Sequence, residues 1–76
     1  MMYYIIEMFV GRNPYPFYIY GLDRPDEVVQ YGRKYVNCKD RFGDWGLIKH
    51  DDIVSITIYQ QGTKTEIADA WENIGK

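Results

Sequence analysis

The residues with the most obvious chemical potential lie in the middle of the chain: Cys38, then His50, Asp51 and Asp52. A histidine beside two carboxylates is the kind of set that binds a metal or relays a proton. Neighbours in an extended segment point to opposite faces, however, so three consecutive side chains do not converge on one ion. With one histidine and one cysteine, the chain lacks the ligands of a structural zinc site and the partner for an internal disulfide. A thiol nucleophile needs a base within hydrogen-bond reach and surroundings that lower its pKa, and Cys38 and His50 in one segment do not by themselves supply these. Asp40 and Asp44 in DRFGDWG echo a calcium loop without its acid at every second position or its closing Glu. Gly43 and Gly46 lack the lysine and hydroxyl of a phosphate-cradling loop. The expectation is a non-enzyme without metal or cofactor, in which Asp51 or Asp52 punctuates the start of a strand.

Ring surface is what this chain has in excess. Eight tyrosines, three phenylalanines and two tryptophans in 76 residues exceed what a one-helix, one-sheet core encloses. A chain this short buries only about 60% of its unfolded surface. Tyrosine offers a large rigid contact at low entropy cost and keeps a hydroxyl for water, which suits it to binding surfaces. The plainer alternative is that the rings lie over a thin core with their hydroxyls in solvent. The surface expected to meet a partner comprises Tyr3, Ile5, Tyr15, Tyr18, Tyr20, Arg41, Phe42, Trp45 and Tyr59.

These side chains must be positioned by few elements. From Tyr3 to Val10 the even residues Tyr4, Ile6, Met8 and Val10 are all apolar and the odd set includes Glu7, the period of a strand with its even face buried. GRNPYP is dense in turn formers and leads to a second strand, Phe17 to Leu22. Pro14 and Pro16 cannot donate to a ladder and place that strand at a sheet edge. Asp23 as N-cap, Pro25 in the first turn and a stripe through Val28, Tyr31 or Gly32, Tyr35 and Val36 predict an amphipathic helix. Residues 37–52 show no sustained period and read as a long loop, with Phe42 and Trp45 pinning it to the body. Ile53 to Gln60 is a β-branched strand with Val54, Ile56 and Ile58 on one face. Gln61-Gly62 is a turn, and Thr63 to Ala68 returns as a fourth strand, although Ile67, Trp71 and Ile74 also match helical spacing.

The expected fold is therefore α+β, one domain over residues 1–76, with a single four-stranded antiparallel sheet in the order 2-1-3-4 and one helix packed on one face. If that helix covers the even face, the odd face presents Tyr3, Ile5, Phe9, Ile53 and Tyr59 and needs a second cover. Trp71 and the tail would supply it within the chain; a twofold partner would supply it as a homodimer. The strand-strand-helix-strand-strand order and the small size resemble the proteins encoded by phages and mobile elements, a group that includes some anti-CRISPR inhibitors. That resemblance implies a protein that occludes a surface on a larger one, and it assigns no residues.

Charge sharpens the choice of partner. The formal net charge is -2, which disfavours a chain whose main partner is a nucleic-acid backbone. Residues 12–50 nonetheless hold Arg12, Arg24, Arg33, Lys34, Lys39, Arg41 and Lys49 against five acids. The alternative to a protein-binding module is thus a single-strand nucleic-acid binder with tyrosines as stacking platforms and Arg12, Arg33, Lys34, Lys39 and Arg41 on the backbone. MMYYIIEMFV lacks the basic flank and cleavage site of a signal peptide, and no apolar run approaches the roughly 20 residues of a membrane span. One thiol and no export signal favour the cytoplasm.

Overall fold

Strand β1, Tyr3–Val10, is buried on both sides: Ile5 points to one face and Ile6 and Met8 to the other, and none is more than 1% exposed. The computed structural model describes residues 2–21 and 35–75, and within them the chain is α+β with one antiparallel sheet. After β1 come β2 (Phe17–Gly21), β3 (Tyr35–Asp40), β4 (Trp45–Lys49), β5 (Ile53–Gly62) and a helix, α1 (Lys64–Asn73). The strands lie side by side in the order β4-β3-β2-β1-β5.

Period two sets the centre of this sheet as expected, with β1 between β2 and the strand that starts at Ile53. The rest departs from the order 2-1-3-4. Residues 37–52 are not a long loop: β3 and β4 form a hairpin, followed by a 3-10 turn over His50–Asp52. In WGLIK apolar residues stand on both faces of an edge strand, Trp45 and Leu47 in solvent and Ile48 in the core, so no period betrays it. Asp40 fixes the hairpin turn, its Oδ1 accepting from the Phe42 and Asp44 amides at 2.9 and 3.0 Å. Strand β2 is not an edge, because β3 pairs with its first two residues, Phe17 and Tyr18. Pro14 and Pro16 stand in the turn before the ladder begins, and so cost it no donor. The predicted helix from Asp23 lies outside the described residues up to position 34, and its last two positions, Tyr35 and Val36, belong to β3.

The fourth expected strand is α1. Thr63 caps it through a reciprocal box: Thr63 Oγ1 accepts from the Glu66 amide at 3.3 Å and Glu66 Oε1 from the Thr63 amide at 3.1 Å. Hydrogen bonding to the carboxylate from Thr63, its backbone amide foremost and its side chain second, holds the Glu66 carboxyl below the usual carboxylate range. Ile67 and Trp71, four apart, then face the sheet and are buried with Ile5 and Tyr18, with Tyr3, Ala70 and Ile74 packed around them. The odd face therefore receives its second cover from Trp71 and the tail. On the even face Ile6, Met8, Cys38 and Ile48 form a separate core, with Phe17, Ile19, Ile53 and Ile56 against it.

Two irregularities in the β1–β5 register, at Ile5/Ile6 and Phe9/Val10, change the phase of β5. Ile53, Ile56 and Ile58 pair with Val10, Met8 and Ile6 and so share the even face; Val54 is left unpaired and 68% exposed. The expected placement of Ile53 on the odd face and of Val54 beside Ile56 is corrected accordingly. At the far end of α1, Gly75 at φ +94° lies directly against Gly43 of the hairpin turn, and a Cβ on Gly75 would overlap the Gly43 backbone.

Two stability changes follow from this packing. Gly75→Ala should cost about 1–3 kcal/mol through backbone strain alone, before the Gly43 overlap is added, read as a lowered urea midpoint. Thr63→Ala should cost about 1 kcal/mol by loss of the cap. The Glu66 part of the cap rests chiefly on the Thr63 amide, which Thr63→Ala keeps; it is present above the ordinary carboxylate pKa and disappears as pH falls through the lowered one, so the cost of removing the Glu66 carboxylate should shrink in acid.

Candidate functional site

Register assembles one row of side chains across the odd face. Trp45 on β4 opposes Lys39 on β3, Lys39 opposes Tyr18 on β2, Tyr18 opposes Glu7 on β1, and Glu7 opposes Thr57 on β5. Directly opposed residues of an antiparallel ladder share a face and touch. The row therefore passes from indole to ammonium to phenol to carboxylate within one sheet, with α1 lying over part of it.

Around Trp71 the rings close into a group. Tyr20 stacks on it with centroids 5.4 Å apart, and Trp45 tilts against it at 5.9 Å. Lys39 Nζ sits 4.9 Å from a Trp71 ring centroid and donates to the Trp71 carbonyl at 2.9 Å. That bond adds to the one the same carbonyl accepts from the Ile74 amide at 3.2 Å and places positive charge near the C-terminal end of α1, where the helix dipole favours it. The Trp71 ring is buried, whereas Trp45 is 68% exposed.

A second group forms where β3 leaves the sheet. The Arg41 guanidinium lies 3.9 Å from the Tyr15 ring centroid and 4.6 Å from that of Phe42, and the two rings meet edge to face at 6.0 Å. Tyr15 is held by an Asx turn, its amide donating to Asn13 Oδ1 at 2.9 Å. Among the described residues no carboxylate lies within salt-bridge distance of Arg41. Ring contacts steady the guanidinium while its five N–H donors stay suited to a carboxylate.

Between these rings and α1 lies a cleft of about 560 Å³, lined by Tyr18, Arg41, Tyr59, Gln60, Glu66 and Asn73 among others. Tyr18 and Tyr59 meet edge to face at 5.0 Å across its floor. The Tyr18 hydroxyl donates to Glu7 Oε2 at 3.1 Å. Burial, the bond to Glu7 and the Glu7 charge push the Tyr18 phenol up to about 12, partly opposed by Arg41. The cleft thus offers one cation, a neutral phenol floor, two amide side chains and, on the helix side, the Glu66 carboxylate, a set that takes a carboxylate at Arg41 and peptide groups along the rest.

Of the residues expected to bind a partner, Tyr15, Tyr20, Arg41, Phe42, Trp45 and Tyr59 are exposed on or beside this face. Tyr3 is half-buried against the helix, and Tyr18 is buried in the cleft floor. Ile5 is corrected to core: Ile67 and Trp71 cover it completely. Sequence reasoning missed Lys39, which it read as a possible backbone cation, and the cleft wall of Gln60, Glu66 and Asn73. A helical reading of the tail would have found the wall, since Glu66, Ala70 and Asn73 repeat at i, i+4, i+7.

The chemically suggestive residues fall elsewhere. His50 sits in the 3-10 turn with Nδ1 3.8 Å from Asp51 Oδ1. Asp40 is spent on the hairpin turn, and among the described residues no group of three His, Cys, Asp or Glu is placed to hold a metal. Cys38 is fully buried, its Sγ donating to the Gly46 carbonyl at 3.5 Å, and burial pushes its thiol up to about 11. No helix of the described residues is long and apolar enough to cross a membrane. Comparison with protein-family models, curated proteins and solved structures finds no match.

Two titrations test these environments. Alkaline titration should show one phenol ionising near 12 that Tyr18→Phe removes. Since the folded value lies above the ordinary value of 10.0, this contribution to stability is complete below pH 10 and is lost as pH rises towards 12. A thiol reagent at pH 8 should leave Cys38 unmodified in the native protein and label it on addition of denaturant.

Proposed function

We propose that this chain is a non-enzymatic interaction module that occludes a surface on a larger protein, using the helix side of its sheet. The observation that carries the reading is the exposed Tyr15–Arg41–Phe42 cluster beside the cleft, with Trp45 and Tyr59 exposed on the same face. Tyr, Trp and Arg are the residue types that dominate binding energy at protein interfaces, and they do so when clustered around a pocket. Here the rings are preorganised: each cluster is held by a hairpin, a turn or α1, so little ordering entropy opposes association.

The chemistry of the cleft specifies the partner further. Arg41 calls for a carboxylate, Gln60 and Asn73 for peptide groups, and Trp45 and Phe42 for apolar side chains at the rim. An acidic, partly apolar segment of a protein meets all three. Of the cations expected on a nucleic-acid backbone, Lys39 is turned to the Trp71 carbonyl. Arg33 and Lys34 lie outside the described residues. Tyr20 and Trp71 stack on each other, which occupies one face of each ring.

Affinity capture with the wild-type chain, repeated with Arg41→Ala and Trp45→Ala, tests this reading. A protein retained by the wild type should be lost from both variants, with affinity reduced roughly tenfold or more and the circular dichroism spectrum of the folded chain retained. Equal retention by all three chains would refute it. So would tight binding of a labelled single-stranded oligonucleotide at low salt that weakens steeply as salt rises.

A further inference from the structure

Because Thr63–Ala68 turns into a helix, nothing among the described residues pairs with the outer edge of β5. The two edges of the sheet are built very differently. Edge strand β4 has five residues, ends in Lys49 and is flanked by Asp44 and by His50, Asp51 and Asp52. Short length and flanking charge are the devices that keep an edge from recruiting another chain. Strand β5, IVSITIYQQG, has ten residues and neither a charge nor a proline. At about 3.3 Å per residue it spans roughly 33 Å, with its ladder to β1 interrupted at Val54 and Tyr59. Seven of its residues are exposed, among them Val54, Ile58 and Tyr59.

We infer that β5 is a self-pairing edge: two copies of the chain join through antiparallel β5 strands into one continuous sheet. The occupant is a second copy because an uncharged strand can meet itself antiparallel without opposing like charges, and a twofold axis makes every contact occur twice. In a continuous sheet, opposed residues share a face, so the axis, perpendicular to the sheet, passes midway between a residue and its own copy. Thr57 stands in the middle of Ile53–Gly62 and between the irregularities at Val54 and Tyr59. Centring there sets Thr57 against Thr57 of the second copy on the helix side and Ile56 against Ile58, twice, on the other. Ile58 is 41% exposed in the single chain, and this pairing covers it. Because the axis is perpendicular to the sheet, both helices and both clefts face the same way. If the proposed binding function holds, the dimer is therefore bivalent.

Sedimentation velocity over a range of concentrations, on the wild type, Thr57→Lys and Thr57→Cys, decides the matter. The wild type should sediment at twice the 9.0 kDa chain mass. Thr57→Lys, which opposes like charges at the axis, should raise the dimer dissociation constant at least tenfold while leaving the circular dichroism spectrum unchanged. Thr57→Cys should form a covalent dimer on mild oxidation, since opposed Cα atoms of an antiparallel pair lie about 4.5–5.5 Å apart, within a disulfide's span. Cys38 is buried and does not compete. Should Thr57→Lys fail to fold, the cross-link alone decides. A wild type that stays monomeric at every concentration overturns the inference, as does a dimer that Thr57→Lys leaves intact and Thr57→Cys does not cross-link. None of these outcomes depends on a larger partner being found, so the dimer and the binding function stand or fall separately.

Discussion

Everything in this structure depends on the burial of β1 from both sides. Ile5 on one face and Ile6 and Met8 on the other are shut off from solvent, and a strand with two apolar faces must sit inside a sheet that is covered twice. In a chain of 76 residues this leaves little material for anything else. Docking of α1 supplies the cover on the odd face, with Ile67 and Trp71 over Ile5 and Tyr18. Full burial of such side chains contributes about 1.5–3 kcal/mol each, against a net stability for small domains of only about 5–15 kcal/mol. Loss of the α1 contact would therefore remove a large part of the folding free energy.

The same contact creates the candidate site. A ten-residue helix covers only part of a five-stranded sheet, so the odd face of β3 and β4 extends beyond it with Trp45 and Leu47 in solvent. Trp71 anchors the helix and at the same time ties Tyr20, Trp45 and Lys39 into one group. Gly75 against Gly43 brings the helix end onto the hairpin turn that carries Arg41 and Phe42. Core packing and the proposed binding surface thus share elements, which makes the surface rigid and joins its affinity to the stability of the fold.

The aromatic surplus is resolved by division. Tyr18 and Trp71 go to the interior, where the Tyr18 hydroxyl finds Glu7 and the Trp71 carbonyl finds Lys39. Tyr15 and Phe42 stay exposed but pack on each other and on Arg41, whereas Tyr20 and Trp45 lean on Trp71 and Tyr59 on Tyr18. Exposed rings that touch other rings lose less on staying in water than isolated ones, and they keep the shape a partner must fit.

The sequence by itself determined whatever local periodicity and turn chemistry dictate: β1, the GRNPYP turn, β2, the strand from Ile53, the antiparallel class, and the need for a second cover that Trp71 could meet. It also named six of the exposed site residues, because Tyr, Trp, Phe and Arg in excess of a small core must end at the surface. Tertiary structure alone decided the remainder. Ile67, Trp71 and Ile74 satisfy helical spacing and the segment also reads as a strand; the capping box and the apolar odd face of β1 select the helix. β4 shows no period because it is an edge strand that exposes Trp45 and Leu47 and buries Ile48, a pattern that reads as a loop. The phase of β5 is set by two register irregularities, which follow from fitting β5 against β1. Local signals report the preference of a segment, whereas these three outcomes are properties of the surface that each segment meets.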